Sequence, residues 1–325
     1  MIGTRWTPLR RAWDQALYGP TGFYRREQPR DHFRTSVHAS ALFAVAVVEL
    51  VRRLGLDAVT DLGTGAGGLL TQVARLAPEL RLTAVEVRPR PAGLPDQISW
   101  CLTRDDLLAS APVLDGFVIA NEVLDNLACD VVELDEAGVT RVVEVDVESG
   151  RERLGRPADP EMLDWLSRWW PLETHGHRAE VGLARDQAWA VVCARNPQGV
   201  SVAIDYGHTV ATRPPFGSLT SYRAGRQVRV SFHGGHDVTA HVAVDAVAGA
   251  VGGRIVRQRD VLTALGVVSR PPPVEQAVTA PAGYLRHLQE VGAAAELTAT
   301  PGLGDFFWVL PPSAAHVIER PASAR

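Results

Sequence analysis

The chain has 325 residues, 46% of them hydrophobic and 22% charged, which suits one large globular core with insertions or two modest domains. Its net charge of -4 argues against a protein that relies on broad phosphate neutralisation to bind nucleic acid. There is no lysine: all 33 basic residues are arginine, and with the abundance of Ala, Gly and Pro this is the composition of a GC-rich bacterial genome.

Arg5, Arg10 and Arg11 are followed by no apolar run or small-residue cleavage site, so no secretory signal is expected. The stretch Ala16-Leu17-Tyr18-Gly19-Pro20-Thr21-Gly22-Phe23-Tyr24 reads as aromatic and turn-rich rather than periodic. A helix is expected from Ala39 to Leu54, with Gly55 as its stop. Its most apolar part, Ala41 to Val48, ends at Glu49 and is too short to span a bilayer, so no membrane role is expected.

Short apolar segments then alternate with helical ones. Ala58 to Leu62, Leu80 to Val87, Ile98 to Leu102 and Gly116 to Asn121 read as strands, and Gly67 to Leu76 as a helix. This predicts an α/β fold with a doubly wound, Rossmann-like parallel sheet. Val131 to Leu134 and Val139 to Val145 flank a glycine-containing turn and read as a hairpin. Glu148 to Pro160 reads as a polar loop, and two helices follow, one carrying Trp165, Trp169 and Trp170, the other from about Leu183 to Arg195. Val200 to Ile204 is the fifth strand. After a Gly/Pro-rich loop, Val238 to Val251 is expected as a helix, Arg254 to Val256 as a strand, Tyr284 to Val291 as a helix and Asp305 to Leu310 as the last strand. The expected organisation is an N-terminal cap over 1–38, a cofactor-binding core over 39–133, a hairpin and helical insertion over 134–197, and completion of the core over 198–325.

The segment Asp61-Leu62-Gly63-Thr64-Gly65-Ala66-Gly67-Gly68 joins a strand to a helix, the setting in which a glycine loop holds a ligand. Gly63, Gly65 and Gly68 satisfy the dinucleotide fingerprint, and Glu86 ends the next strand about 20 residues on, where a ribose-binding acid belongs. Asp61 favours a different ligand. An acid there crowds a pyrophosphate but attracts a sulfonium cofactor that carries an amino group and no phosphate. Asp61, Gly63, Gly65, Gly67 and Glu86 are therefore the expected cofactor residues. Asp105 and Asp106 follow the third strand, where either would take an adenine amino group or form a surface pair.

Asn121, Glu122 and Asp125 sit where the fourth strand leaves the sheet, the end at which open parallel sheets bind ligands. Methyl transfer needs alignment more than acid–base help. A guanidinium acceptor would need a carboxylate to hold it and accept its proton, and Glu122 with Asp125 as partner fits that task. Cys101, Cys129 and Cys193 lie in or beside apolar stretches without ligand spacing and read as reduced small hydrophobes of a cytoplasmic protein. His233, His236 and His241 form no recognised ligand set, and His241 is expected inside a helix, so no metal is expected.

These segments together resemble the MidA family of methyltransferases, a bacterial and mitochondrial group that includes a respiratory complex I assembly factor. The resemblance rests on Ala16 to Pro20 with Gly22-Phe23-Tyr24; on Phe33-Arg34-Thr35-Ser36 with Ser40, Leu42 and Phe43; and on the glycine loop. It continues through Ala120-Asn121-Glu122 with Asp125, and Ile204 to Gly207 with Gly217-Ser218-Leu219 and Tyr222. Asp237 to Val242 and Gly302-Leu303-Gly304 before Phe307 to Leu310 complete it. It implies a class I methyltransferase fold with an inserted segment, S-adenosylmethionine as cofactor, and, from the mitochondrial relatives, a protein arginine as acceptor. Thr35 and Ser36 would close over the cofactor, and Asp205 would help to orient the acceptor. The sequence departs from the family at Val37-His38, Val123-Leu124 and Ala243-Val244, all on the presumed acceptor side. Two other readings stay open: a nicotinamide-dependent oxidoreductase, from the shared glycine pattern, and an assembly factor that keeps the fold without turnover, from the departures.

Overall fold

In the computed structural model, which describes residues 6–26, 41–103 and 114–318, seven strands build the central sheet. They are β1 (Ala58–Leu62), β2 (Arg81–Glu86), β3 (Ile98–Leu102), β4 (Phe117–Asn121), β5 (Val200–Asp205), β6 (Arg254–Arg257) and β7 (Phe307–Leu310). Their spatial order is β6-β7-β5-β4-β1-β2-β3. β7 runs antiparallel to its neighbours β5 and β6, and the other pairings are parallel. The expected doubly wound α/β sheet is thus what the chain forms.

Both faces of the sheet are covered, which is why its inner strands read as mainly apolar runs. Successive side chains alternate between the faces. Phe117, Ile119, Val202 and Ile204 pack with Phe43, Val47, Leu50, Leu70 and Val73 from helices Ala41–Arg53 and Gly68–Leu76. Val118, Ala120 and Ala203 pack on the opposite face with Trp189, Val192, Val244 and Val247 from helices Leu183–Ala194 and Val244–Ala250.

A second, antiparallel sheet of five strands lies beyond the end of β4. Thr140–Asp146 pairs with Asp130–Leu134, with Arg151–Pro157 and with Trp6–Pro8 near the N-terminus, and Asp130–Leu134 pairs also with Arg178–Val181. The helix Leu9–Tyr18 packs on one face through Leu9, Trp13 and Leu17, and the helix Pro160–Trp169 on the other through Met162, Trp165 and Leu166.

Four local expectations are corrected. Leu9 to Tyr18 is helical, with buried residues at 9, 12, 13, 16 and 17, so the aromatic stretch at 16–24 contains the end of an amphipathic helix before its turn. The polar stretch after Glu148 contains the strand Arg151–Pro157, whose outward face explains its polarity. The helix expected over Val238 to Val251 is shorter: Asp237–Thr239 and Val242–Ala243 are extended, and only Val244–Ala250 is helical. His241 therefore lies between two strands. The Gly/Pro-rich loop contains the short strands Thr220–Arg223 and Arg226–Val228. Among the described residues no helix is long and apolar enough to cross a membrane.

Phe117, at the base of β4, is fully buried. Replacing it with Ala should cost about 3–5 kcal/mol, read as a lowered urea midpoint with little change in slope.

Candidate active site

The chain passes from β1 to β2 and β3 on one side, then crosses to place β4 on the other side of β1. Such a reversal opens a crevice outside the carboxyl ends of the two central strands. The loop after β1 carries the glycines, and Asn121 ends β4 with Glu122 and Asp125 in the loop after it, so both expected groups meet at this crevice.

Gly63, Gly65 and Gly67 all have positive φ, at 68°, 62° and 77°, which L-residues with a Cβ resist. The backbone N–H groups of Gly63 and Thr64 donate to the Val85 carbonyl at 2.9 and 3.3 Å, tying the loop to β2. A Cβ built on Gly65 would meet nothing within 4 Å, so this position borders open space. Glu86 braces the loop: its Oε2 accepts from the Gly65 N–H and its Oε1 from the Val87 N–H, both at 2.9 Å. A carboxylate has further acceptor capacity beyond these two bonds. Burial pushes the Glu86 pKa up, and Arg88 pulls against that shift.

Asp61 is buried at the end of β1 and accepts the Thr64 hydroxyl at 2.6 Å. Burial pushes its pKa up to about 7; the Thr64 hydrogen bond works against the shift and Glu86 adds to it. Asp105, Thr35 and Ser36, like Asp106 and Val37-His38, lie outside the described residues.

On the β4 side, Glu122 has φ 55°, in the left-handed region that residues with a side chain rarely adopt. Its N–H donates to the Ile204 carbonyl at 2.8 Å, and Asn121 Nδ2 donates to its Oε1 at 3.0 Å. Asn121 Oδ1 is buried with no hydrogen-bond partner among the described residues. Asp125 is committed elsewhere than the pairing with Glu122 expected from sequence: its carboxylate accepts the Tyr206 hydroxyl, the Thr239 hydroxyl at 2.7 Å and Asn126 Nδ2 at 2.9 Å. Asp205 accepts the N–H groups of Leu124 and Asp125 at 3.0 and 3.1 Å, and that of Tyr206 at 3.0 Å. Burial, then the neighbouring Asp125 and Glu122, push the Asp205 pKa far above the carboxylate range.

Sequence reasoning missed Arg185. It is 1% exposed, and its guanidinium donates to the carbonyls of Asp125 at 2.8 Å, His241 at 3.0 Å and Leu127 at 3.1 Å. The signal was its position, since Arg185, Trp189 and Val192 share the buried stripe of one helix. The N-terminal segment reaches the same region. Trp13 Nε1 donates to the Val238 carbonyl at 2.8 Å, and the Tyr24 hydroxyl to Asp237 at 2.9 Å, with Tyr18 stacked on Tyr24.

The departures at Val123-Leu124 and Ala243-Val244 face inward rather than toward an acceptor. All four side chains are buried in apolar clusters beneath the loops. No group of His, Cys, Asp and Glu among the described residues has a metal-holding arrangement.

Raised carboxylate pKa values make stability depend on pH. Asp61 at about 7 and Asp237 at about 8 keep their protons in the folded chain, whereas in the unfolded chain they titrate near 3.8. The folded state therefore loses stability as pH rises through that interval. Melting measured between about pH 5 and pH 8 should show a falling Tm, and Asp61→Asn should flatten the fall.

A family model described as "putative S-adenosyl-L-methionine-dependent methyltransferase" matches residues 47–259. The fold is shared with a COG1565 superfamily member from Burkholderia thailandensis solved with S-adenosyl-homocysteine bound. The TM-score is 0.72 at 24% identity, over 94% of this chain and 87% of that one. A native crystal structure of a COG1565 superfamily protein from the same organism gives 0.75 at 23% identity, over 98% and 91%. No curated protein matches the chain. Likeness at these identities establishes the fold, and the family match decides between the two ligands that the glycine pattern alone left open. Since that match spans well over half of its length, the chain belongs to this family of S-adenosylmethionine-dependent methyltransferases, with S-adenosylmethionine as its cofactor.

Proposed function

We propose that the protein methylates a guanidinium nitrogen of an arginine in a cytoplasmic protein, with Glu122 as the residue that holds the acceptor. The observation that carries this reading is the left-handed backbone of Glu122 at the crevice. A strained conformation persists only where its surroundings enforce it, and such residues cluster at functional sites. The Ile204 carbonyl and Asn121 supply that enforcement here. The motifs shared with the MidA family support a protein arginine as the acceptor.

The crevice fits the cofactor. The open space at Gly65 admits a close backbone approach, and the unpartnered Asn121 Oδ1 offers an acceptor to a donor. Gly63, Gly65 and Gly67 would hold the cofactor by their backbone, Asp61 would pair with its amino group and Glu86 with its ribose; Thr35, Ser36 and Asp105 belong to the same assignment. When bound, the cofactor supplies a methyl group on a positively charged sulfur.

The chain's own work is alignment and proton acceptance. The Glu122 carboxylate, with Oε1 fixed by Asn121, would hold the guanidinium and localise its charge. It would also take the proton released when nitrogen gains the methyl group. Asp125 and Asp205 act on the loop: one binds Tyr206 and Thr239, the other three backbone N–H groups, so the Glu122 backbone is held from both sides.

The test is incubation of the purified chain with methyl-labelled S-adenosylmethionine and proteins that co-purify with it, followed by mass spectrometry for labelled methylarginine. Labelled methylarginine is expected, and Glu122→Gln should cut transfer by about a hundredfold or more with cofactor affinity nearly unchanged. Cofactor binding without transfer to any protein would replace this reading with the assembly-factor one. Separately, Gly65→Val should abolish calorimetric binding of S-adenosylmethionine while circular dichroism stays native, since the side chain would enter the open space and resist φ 62°. Unchanged affinity would remove the loop from the cofactor site.

A further inference from the structure

Tyr206 leaves the end of β5, and Phe306 precedes β7. Asp205 pairs with Phe307 across these antiparallel strands, so both rings stand at the same end of the sheet. His241 reaches the same place from the loop between Asp237–Thr239 and Val242–Ala243. Ring centroids lie 5.2 Å apart for Tyr206 and His241 and 5.5 Å apart for Tyr206 and Phe306, with interplanar angles of 78° and 57°. Tyr206 and Phe306 are half-buried and His241 is exposed.

Phe306 packs in part against the main apolar cluster, and its ring, like that of Tyr206, stays half-buried at the rim. The rings are also held in place. The Tyr206 hydroxyl is turned down into Asp125 and Thr239, which leaves the ring itself as the surface on offer. The His241 N–H donates to Ser218 Oγ at 3.0 Å and its carbonyl accepts from Arg185, so its ring stands on a fixed backbone. Beneath the rings lie the carboxylates of Asp125 and Asp205, and the N–H of Glu122 is bonded to the carbonyl of Ile204, two residues before Tyr206.

Aromatic faces attract organic cations through the ring quadrupole. We propose that Tyr206, Phe306 and His241 form an aromatic collar that receives the cationic side chain of the methyl acceptor at the mouth of the crevice and directs it toward Glu122. This rests on the arginine reading above and adds a recognition site to it. Two fixed cations near the collar are engaged elsewhere: Arg185 has its guanidinium turned onto three backbone carbonyls, and Arg257 lies over the Phe307 ring and donates to the Asp305 carbonyl. Desolvation by the surrounding loops, then the Arg185 cation, hold the His241 pKa below the ordinary histidine value, so its ring is uncharged at neutral pH and does not repel a cation.

The test uses the full chain saturated with S-adenosylhomocysteine. N-ethylguanidinium and its neutral counterpart N-ethylurea are titrated into it and followed by NMR chemical shifts. The cation should bind at least about tenfold more tightly than the urea, and Phe306→Leu and His241→Leu should each weaken the cation about three- to tenfold. Their S-adenosylhomocysteine affinity should stay within about twofold of the parent chain, reporting an intact core. If Phe306→Leu does not fold, His241→Leu, at an exposed position, decides the matter. Unchanged cation binding in these variants, with loss in Glu122→Gln, would overturn the collar and leave the arginine reading standing. Equal binding of cation and urea to the parent chain would overturn both.

Discussion

The β4 side of the crevice depends on one buried cation, Arg185, with no carboxylate hydrogen-bonded to it among the described residues. Arg185 donates to three carbonyls from two segments that are remote in sequence, the loop after β4 and the loop at His241. A buried guanidinium is costly unless its donors are satisfied, and a carbonyl left behind in the same place would be costly too. The bonds are therefore mutually enforcing: the loops stay where they are because moving either one strands a charge. Trp13, whose ring lies 5.7 Å beneath the guanidinium, extends the same constraint to the N-terminal helix.

The crevice is otherwise a concentration of carboxylates held out of water. Asp61, Glu86, Asp125, Asp205 and Asp237 all have pKa values raised by burial. Such an arrangement destabilises the empty chain at neutral pH and suits a cofactor that carries positive charge. The strain at Glu122 has the same character, a local cost retained by the surrounding fold at the place where the chemistry is assigned.

The central sheet was legible because its strands are covered on both faces, so β1, β4 and β5 appear as mainly apolar runs with helices between them. The glycine loop was legible for a related reason: positive φ at Gly63, Gly65 and Gly67 leaves little choice of residue. The second sheet was only partly visible. Arg151–Pro157 is polar on its exposed side, and nothing local reveals that Trp6–Pro8 will pair with Thr140–Asp146. The stretch from Asp237 to Ala243 is apolar enough to read as helix, and its extended form is imposed by strand pairing with Thr220–Arg223 and Gly207–His208. Within the site, the glycine loop and the strand-end acids Asp61 and Glu86 followed from motif and strand position. The different hydrogen-bond partners of Glu122 and Asp125 did not, because residues such as Tyr206 and Thr239 are brought together only by tertiary structure.

The pairing of Trp6–Pro8 with Thr140–Asp146 also sets an order of events during synthesis. Trp6–Pro8 has its partner among residues made much later, so it must wait unpaired while β1 to β4 emerge. Closing such a long loop is slow compared with forming local contacts. The N-terminal helix, with the Trp13 that underlies Arg185 and the tyrosines that reach Asp237, can dock only after the second sheet exists. The crevice is therefore completed from its cofactor wall outward. The side built around Arg185 is finished after the glycine-loop side, although the helix that covers it is translated earlier.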